Sequence, residues 1–178
     1  VEVKDMQKPG FSQKSMQPSD MQAQPARILV VEDDADIQHV LCVYLQHSGF
    51  HVRSASDGRE AIATIPEFRP QLILLDLMMR PVNGWEVLRW LSTNRQMSSP
   101  PVLVLTALAQ LEDQVHGFEA GAVEYLTKPT QPSVIVERIH KILALSSEQR
   151  AVLQRERKEQ QRKTLDLISA PQPDEFIY

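Results

Sequence analysis

Unbroken apolar runs at 28–31, 72–75 and 102–105 divide the chain, and each is followed directly by a polar or acidic residue. Runs this short predict strands buried on both faces, as in a parallel sheet. Residues 51–55 and the more polar 123–127 predict two further strands, the last of them near an edge. Helical spacing fills the intervals. Apolar residues at 37, 40, 41, 44 and 45 form one helical face, stopped by Gly49. Asp57-Gly58 opens a helix with Ala61, Ile62 and Ile65 inward and Pro66 at its close. Asn83 and Glu86 form a capping pair ahead of Trp85, Leu88 and Leu91. Leu108, Leu111, Val115 and Phe118 mark a fourth helix, ended by Gly121. Pro132 suits the first turn of a fifth, with Ile135, Ile139, Ile142 and Leu143 inward. β-α repeated five times predicts an α/β, doubly wound parallel sheet with right-handed crossovers and helices on both faces.

Composition narrows the picture. With 178 residues, 42% hydrophobic and 24% charged, the chain suits one globular domain with tails. Residues 1–25, rich in Gln, Met, Ser and Pro, read as a disordered arm, and 171–178 as a disordered tail. The net charge of −4 gives no general attraction to nucleic acid. Cys42 is the only cysteine, so no disulfide forms within the chain. No apolar run approaches the ~20 residues of a membrane span, and no signal peptide opens the sequence. A cytoplasmic location is expected. Absence of the G-x-G-x-x-G and P-loop patterns argues against dinucleotide and nucleoside triphosphate sites.

An ionised carboxylate is too costly to desolvate inside a sheet, so Asp76 belongs where its strand surfaces. The carboxyl edge of an open α/β sheet is where ligands gather. Glu32 and Asp33 end the first strand, Thr106 ends the fourth and Lys128 follows the fifth, so all share that edge. Three facing acids repel one another unless a cation sits among them. Hard oxygen ligands suit Mg²⁺. An aspartate can attack phosphorus and form an acyl phosphate, and a lysine with a hydroxyl alongside can take the developing charge.

The segments ILVVEDD at 28–34, LILLDLMM at 72–79, Asn83-Gly84, VLVLTA at 102–107 and YLTKP at 125–129 resemble the receiver domain of two-component response regulators. The resemblance covers about residues 26–146. It implies a flavodoxin-like sheet of strand order 2-1-3-4-5 and a phosphoacceptor, Asp76, that takes a phosphoryl group from a sensor histidine kinase or phosphotransfer protein. It implies Mg²⁺ held by Asp33, Asp76 and the Met78 backbone carbonyl, with Glu32 acting through water. Thr106, the Ala107 N–H and Lys128 would contact the phosphoryl group, and Thr106 with Tyr125 would form the switch. Such a protein is not an enzyme in the ordinary sense, but catalyses its own phosphorylation and dephosphorylation. A homodimer through the fourth helix, fifth strand and fifth helix is a further expectation. The family usually has proline four residues after the phosphoacceptor; here that residue is Arg80, followed by Pro81. Thr130 stands where an aromatic often follows Lys-Pro. Met78 and Leu108, two residues beyond Asp76 and Thr106, are bulky and cannot orient water, which predicts slow self-dephosphorylation.

Several residues have plainer readings. Asp34 suits a helix start, Met79 and Met97 fill space, and Cys42 reads as a small buried hydrophobe. Residues 147–170 read as a charged, solvated helical extension continuing the fifth helix. Within it, 148–163 carries six basic and three acidic residues, and no heptad persists. Apolar periodicity is complete by Leu145, so removing the extension is expected to leave a folded domain. The leading expectation is a phosphorylation switch acting on an unidentified output protein, without a DNA-binding output domain. A DNA-binding regulator using the basic extension and a non-phosphorylated scaffold are the alternatives.

Overall fold

The structure, a computed structural model, describes residues 24–94 and 100–169. The expected arm, apart from residues 24 and 25, the tail and Met97 lie outside the described residues. Five strands form one parallel sheet: β1 (Arg27–Val31), β2 (His51–Ala55), β3 (Leu72–Leu75), β4 (Val102–Thr106) and β5 (Glu124–Thr127), in the order β2-β1-β3-β4-β5. The helices are α1 (Ala35–His47), α2 (Gly58–Phe68), α3 (Gly84–Thr93), α4 (Leu111–Glu119), α5 (Pro132–Ala144) and α6 (Ser147–Ser169). The flavodoxin-like architecture and the edge position of β5 are as the sequence predicts.

Alternation along the strands splits the core in two. Leu29, Val31, Ile73, Leu75 and Val104 face α2, α3 and α4. Ile28, Val30, Leu72, Leu74, Leu103 and Leu105 face α1 and α5 through Leu41, Leu45, Ile135, Ile139 and Ile142. Both faces of the central strands are covered, which is why their sequences are continuous apolar runs. Side-chain caps start four helices: Asp34 for α1, Asp57 for α2, Asn83 for α3 and Ser146 for α6. α4 and α5 begin at Gln110 and Gln131 with no such cap.

Four local expectations change. Leu108 lies in the loop before α4, which begins only at Leu111. α2 runs through Pro66 and ends at Phe68, with Arg69 in the left-handed region at φ 50°. Pro66 sits late enough that the helix finishes within one turn of it. On α1 only Leu41 and Leu45 are buried, while Ile37, Val40 and Tyr44 are exposed. The apolar stripe is wider than the surface the sheet and α5 offer it. Cys42 is half-buried beside the second core rather than within it.

The largest difference concerns α6. It is not a solvated continuation of α5. The chain breaks at Leu145, whose backbone is extended, and α6 then packs on α4. Leu153 rests on the α1–α5 side of the core. Gln154 donates to the Phe118 carbonyl at 3.0 Å, and Arg157 reaches Glu124 at 2.6 Å. α6 therefore crosses the start of β5 from one face of the sheet to the other.

Candidate functional site

Parallel register assembles the site. Val31 pairs with Leu75, so Glu32 and Asp76 leave neighbouring strands at one level. Thr106 pairs with Thr127, which delivers Lys128 to the same edge, and the Lys128 N–H donates to the Thr106 carbonyl at 2.8 Å. The Asp76 N–H donates to the Val31 carbonyl at 3.0 Å and the Glu32 N–H to the Ala55 carbonyl at 3.1 Å. Both backbones are therefore tied down where their side chains begin. Gln38 of α1 adds a clamp that the sequence did not advertise, its amide donating to the Glu32 and Ala55 carbonyls at 2.8 and 3.0 Å.

Glu32, Asp33 and Asp76 each place a carboxylate oxygen within 4.8 Å of the other two. Glu32 and Asp76 are buried, whereas Asp33 is exposed. The Lys128 ammonium bridges the buried pair, 2.6 Å from Glu32 Oε2 and 2.6 Å from Asp76 Oδ2. Burial pushes the Glu32 carboxyl up from its usual range, and contact with Lys128 only partly offsets this. For Lys128, burial alone would lower the value, but its two carboxylate partners outweigh burial and raise it. The ammonium is thus held charged. Three carboxylates against one lysine leave an excess of two negative charges. This all-oxygen donor set fits a hard divalent cation of the Mg²⁺ kind in number, chemistry and charge.

The remaining sequence-predicted residues surround this centre. The Met78 N–H donates to Asp76 Oδ1 at 3.0 Å, and the Met78 side chain is 59% exposed. Thr106 is fully buried, with its hydroxyl oxygen 3.5 Å from the Leu108 N–H. Ala107 is exposed and Leu108 half-buried. Tyr125 is buried, its ring beside Phe118 and its hydroxyl donating to the Leu108 carbonyl at 3.0 Å. Burial, with Asp113 and Asp76 as lesser influences, pushes the Tyr125 phenol up, so it stays a donor. Arg80 and Pro81 are exposed at the rim of a cavity that Leu77, Met78, Asn83 and Trp85 also line.

Two glycines are set by close approach. A Cβ on Gly84 would lie 2.2 Å from the Asp76 carbonyl, so the Asn83-Gly84 motif lets α3 start directly beneath the Asp76 loop. A Cβ on Gly117 would meet the Tyr125 ring at 2.9 Å, which seats α4 on that ring. Glu124, Gln38 and Gly117 are the positions that sequence reasoning passed over. Glu124 alone carried a signal, as the charge that makes the fifth strand more polar than the others.

Comparison with known proteins agrees with this geometry. The family described as the response regulator receiver domain matches residues 28–140. The DNA-binding response regulator MtrA of Mycobacterium tuberculosis is 42% identical over 113 residues, covering 64% of this chain and 48% of MtrA. The transcriptional regulatory protein ResD of Bacillus subtilis is 39% identical over 127 residues, covering 71% of this chain and 52% of ResD. This chain thus spans about half the length of the curated relatives it matches. Among solved structures, chemotaxis response regulator CheY4 of Vibrio cholerae has a TM-score of 0.62 at 30% identity, covering 66% of this chain and 98% of CheY4. A response regulator from Chloroflexus aurantiacus has a TM-score of 0.64 at 32% identity, covering 68% and 99%. With the sheet order, the acidic edge and the matched span in agreement, this chain belongs to the response regulator receiver domain family.

Proposed function

We propose that the protein is a phosphorylation switch in which Asp76 accepts a phosphoryl group from a sensor histidine kinase or a phosphotransfer protein. The observation that carries this reading is the meeting of Glu32, Asp33, Asp76 and Lys128 at one sheet edge. An Asp76 carboxylate oxygen forms the bond to phosphorus as the P–N bond of the donor imidazole breaks. The imidazole nitrogen leaves with the electron pair and takes up a proton. Lys128 pairs with the phosphoryl oxygens, and the Thr106 hydroxyl and Ala107 N–H donate to them. Glu32, Asp33, Asp76 and the Met78 carbonyl would hold Mg²⁺. When bound, the ion neutralises charge on the phosphoryl oxygens.

Thr106 and Tyr125 form the conformational element, since Tyr125 already bonds the loop that follows Thr106. Output passes to a partner protein from a cytoplasmic setting. Among the described residues no helix is long and apolar enough to cross a membrane. The relatives described as DNA-binding are about twice as long as the matched segment. Before phosphorylation the basic residues Arg157, Lys158 and Arg162 of α6 are engaged with Glu119 and Glu124 rather than free for a DNA groove. A homodimer through α4, β5 and α5 would have to accommodate α6 on that face.

The test is labelling with acetyl phosphate and Mg²⁺. Wild type should gain an acid-stable, hydroxylamine-labile phosphoryl group that maps to Asp76. Asp76→Asn should gain none, because the amide is a poor nucleophile. Equal labelling of the variant would refute the assignment.

A further inference from the structure

α6 is held differently from every other helix. None of its residues is buried. Among its residues Leu153 packs on a core and Leu165 is half-buried, and the hydrogen bonds and ion pairs that hold it come from polar side chains. Arg157 meets the buried Glu124 at 2.6 Å, Gln154 donates to the Phe118 carbonyl at 3.0 Å, and Lys158 and Arg162 reach Glu119 at 3.4 and 3.5 Å. The last two are at the outer limit of useful contact, so a shift of α4 by about an ångström removes them. The joint between α5 and α6 is the extended Leu145 and the single residue Ser146, so α6 is not continuous with the helix before it. Most helical stability in proteins comes from tertiary packing, so α6, once off its seat, opens more often along its 23 residues and its amides exchange faster.

The strand under that seat also carries the machinery of the site. Glu124 anchors α6. Tyr125, the next residue, lies against Gly117 of α4 and bonds the Leu108 carbonyl of the β4–α4 loop. Lys128, just past the strand end, is shared between Glu32 and Asp76. α4 itself has no side-chain N-cap and lies between Tyr125 on one side and α6 on the other. A charge added at Asp76 therefore acts, through Lys128 and Tyr125, on the segment that holds both α4 and α6.

We propose that α6 is an intramolecular latch on α4 and the start of β5, and that phosphorylation of Asp76 loosens it. This rests on Asp76 being the phosphoacceptor. In the resting state α6 covers one side of α4. In the phosphorylated state Lys128 turns to the phosphoryl oxygens, Tyr125 and the β4–α4 loop rearrange, and α4 no longer presents Glu119 and the Phe118 carbonyl in register with Arg162, Lys158 and Gln154. The latch thus makes the α4 surface available to other chains only after phosphorylation.

The test is hydrogen–deuterium exchange on the full chain before and after acetyl phosphate with Mg²⁺. In the labelling step an Asp76 oxygen bonds phosphorus, the P–O bond to the acetyl group breaks and acetate leaves. Intact mass gives the phosphoryl stoichiometry in the same sample. Exchange across 150–158 should rise about fivefold or more on phosphorylation, the lower end of allosteric coupling, while β1 and β3 stay protected. Glu119→Lys, an exposed change that cannot disturb the core, and Arg157→Ala should release α6 without phosphate. By reciprocity both variants should bind beryllofluoride, in the presence of Mg²⁺, more tightly than wild type by a similar factor. Full phosphorylation with unchanged α6 exchange would overturn the latch, as would released variants with wild-type beryllofluoride affinity. A chain that takes no phosphoryl group at Asp76 would overturn the phosphoacceptor reading, and the trigger with it.

Discussion

Arg157→Ala tests the electrostatic seat of α6 most directly. The Glu124 side chain is 4% exposed, and its oxygens meet Arg157 at 2.6 Å and Arg138 at 3.4 Å. The Arg138 Nε is itself buried without a partner, so Arg138 is poorly placed to take over. Breaking a fully buried ion pair costs roughly 3–5 kcal/mol because it strands a charge, whereas an exposed pair contributes about 0–1 kcal/mol. Arg157 lies between these limits: its partner is buried, but it is itself 33% exposed and Arg138 remains. The expected loss is about 1–2 kcal/mol, which for a chain of this size lowers Tm by roughly 2–8 °C. Urea unfolding should show the midpoint falling with little change in slope. A double-mutant cycle with Glu124→Gln isolates the pair. If Arg157→Ala costs below about 0.3 kcal/mol, or costs as much in the Glu124→Gln background as in wild type, the guanidinium does not act through this carboxylate. Removal of residues 147–178 should then cost at least as much, since Leu153 and Gln154 leave as well, while the domain stays folded as the apolar periodicity implies.

Other perturbations bear on the site. Gly84→Ala should destabilise by about 2 kcal/mol or more and lower the rate of phosphorylation, because its Cβ meets the Asp76 carbonyl at 2.2 Å and backbone cannot yield cheaply; a stable variant with the wild-type acetyl phosphate rate would refute this. Asp33→Ala removes an exposed member of the acidic cluster and should abolish Mg²⁺-dependent labelling while leaving the urea midpoint nearly unchanged, both read on one preparation. Met78→Asn with Leu108→Glu should speed loss of the phosphoryl group roughly tenfold, if orienting the attacking water is worth ~1.4 kcal/mol of barrier. Decay of labelled protein after donor removal checks it, and a wild-type lifetime of seconds would remove the premise.

The sheet and the acidic edge were legible because each depends on a local pattern. Strands buried on both faces require continuous apolar runs, and a carboxylate directly after such a run can sit only at its carboxyl end. The seat of α6 was not legible, for an equally physical reason. Its arginines and lysines meet Glu119 and Glu124 across separations of more than thirty residues, and an ion pair leaves no period in either segment. Gly117 shows the same limit: it is dictated by a surface that exists only once Tyr125 is in place. The helices that the sequence oriented correctly are attached by apolar area, which is indifferent to a charge appearing elsewhere. α6 is attached largely by charge and hydrogen bonds, to Glu124, which adjoins Tyr125, and to Phe118, whose ring lies beside that of Tyr125. The part of the fold hardest to read from sequence is therefore the part most exposed to an electrostatic event at Asp76.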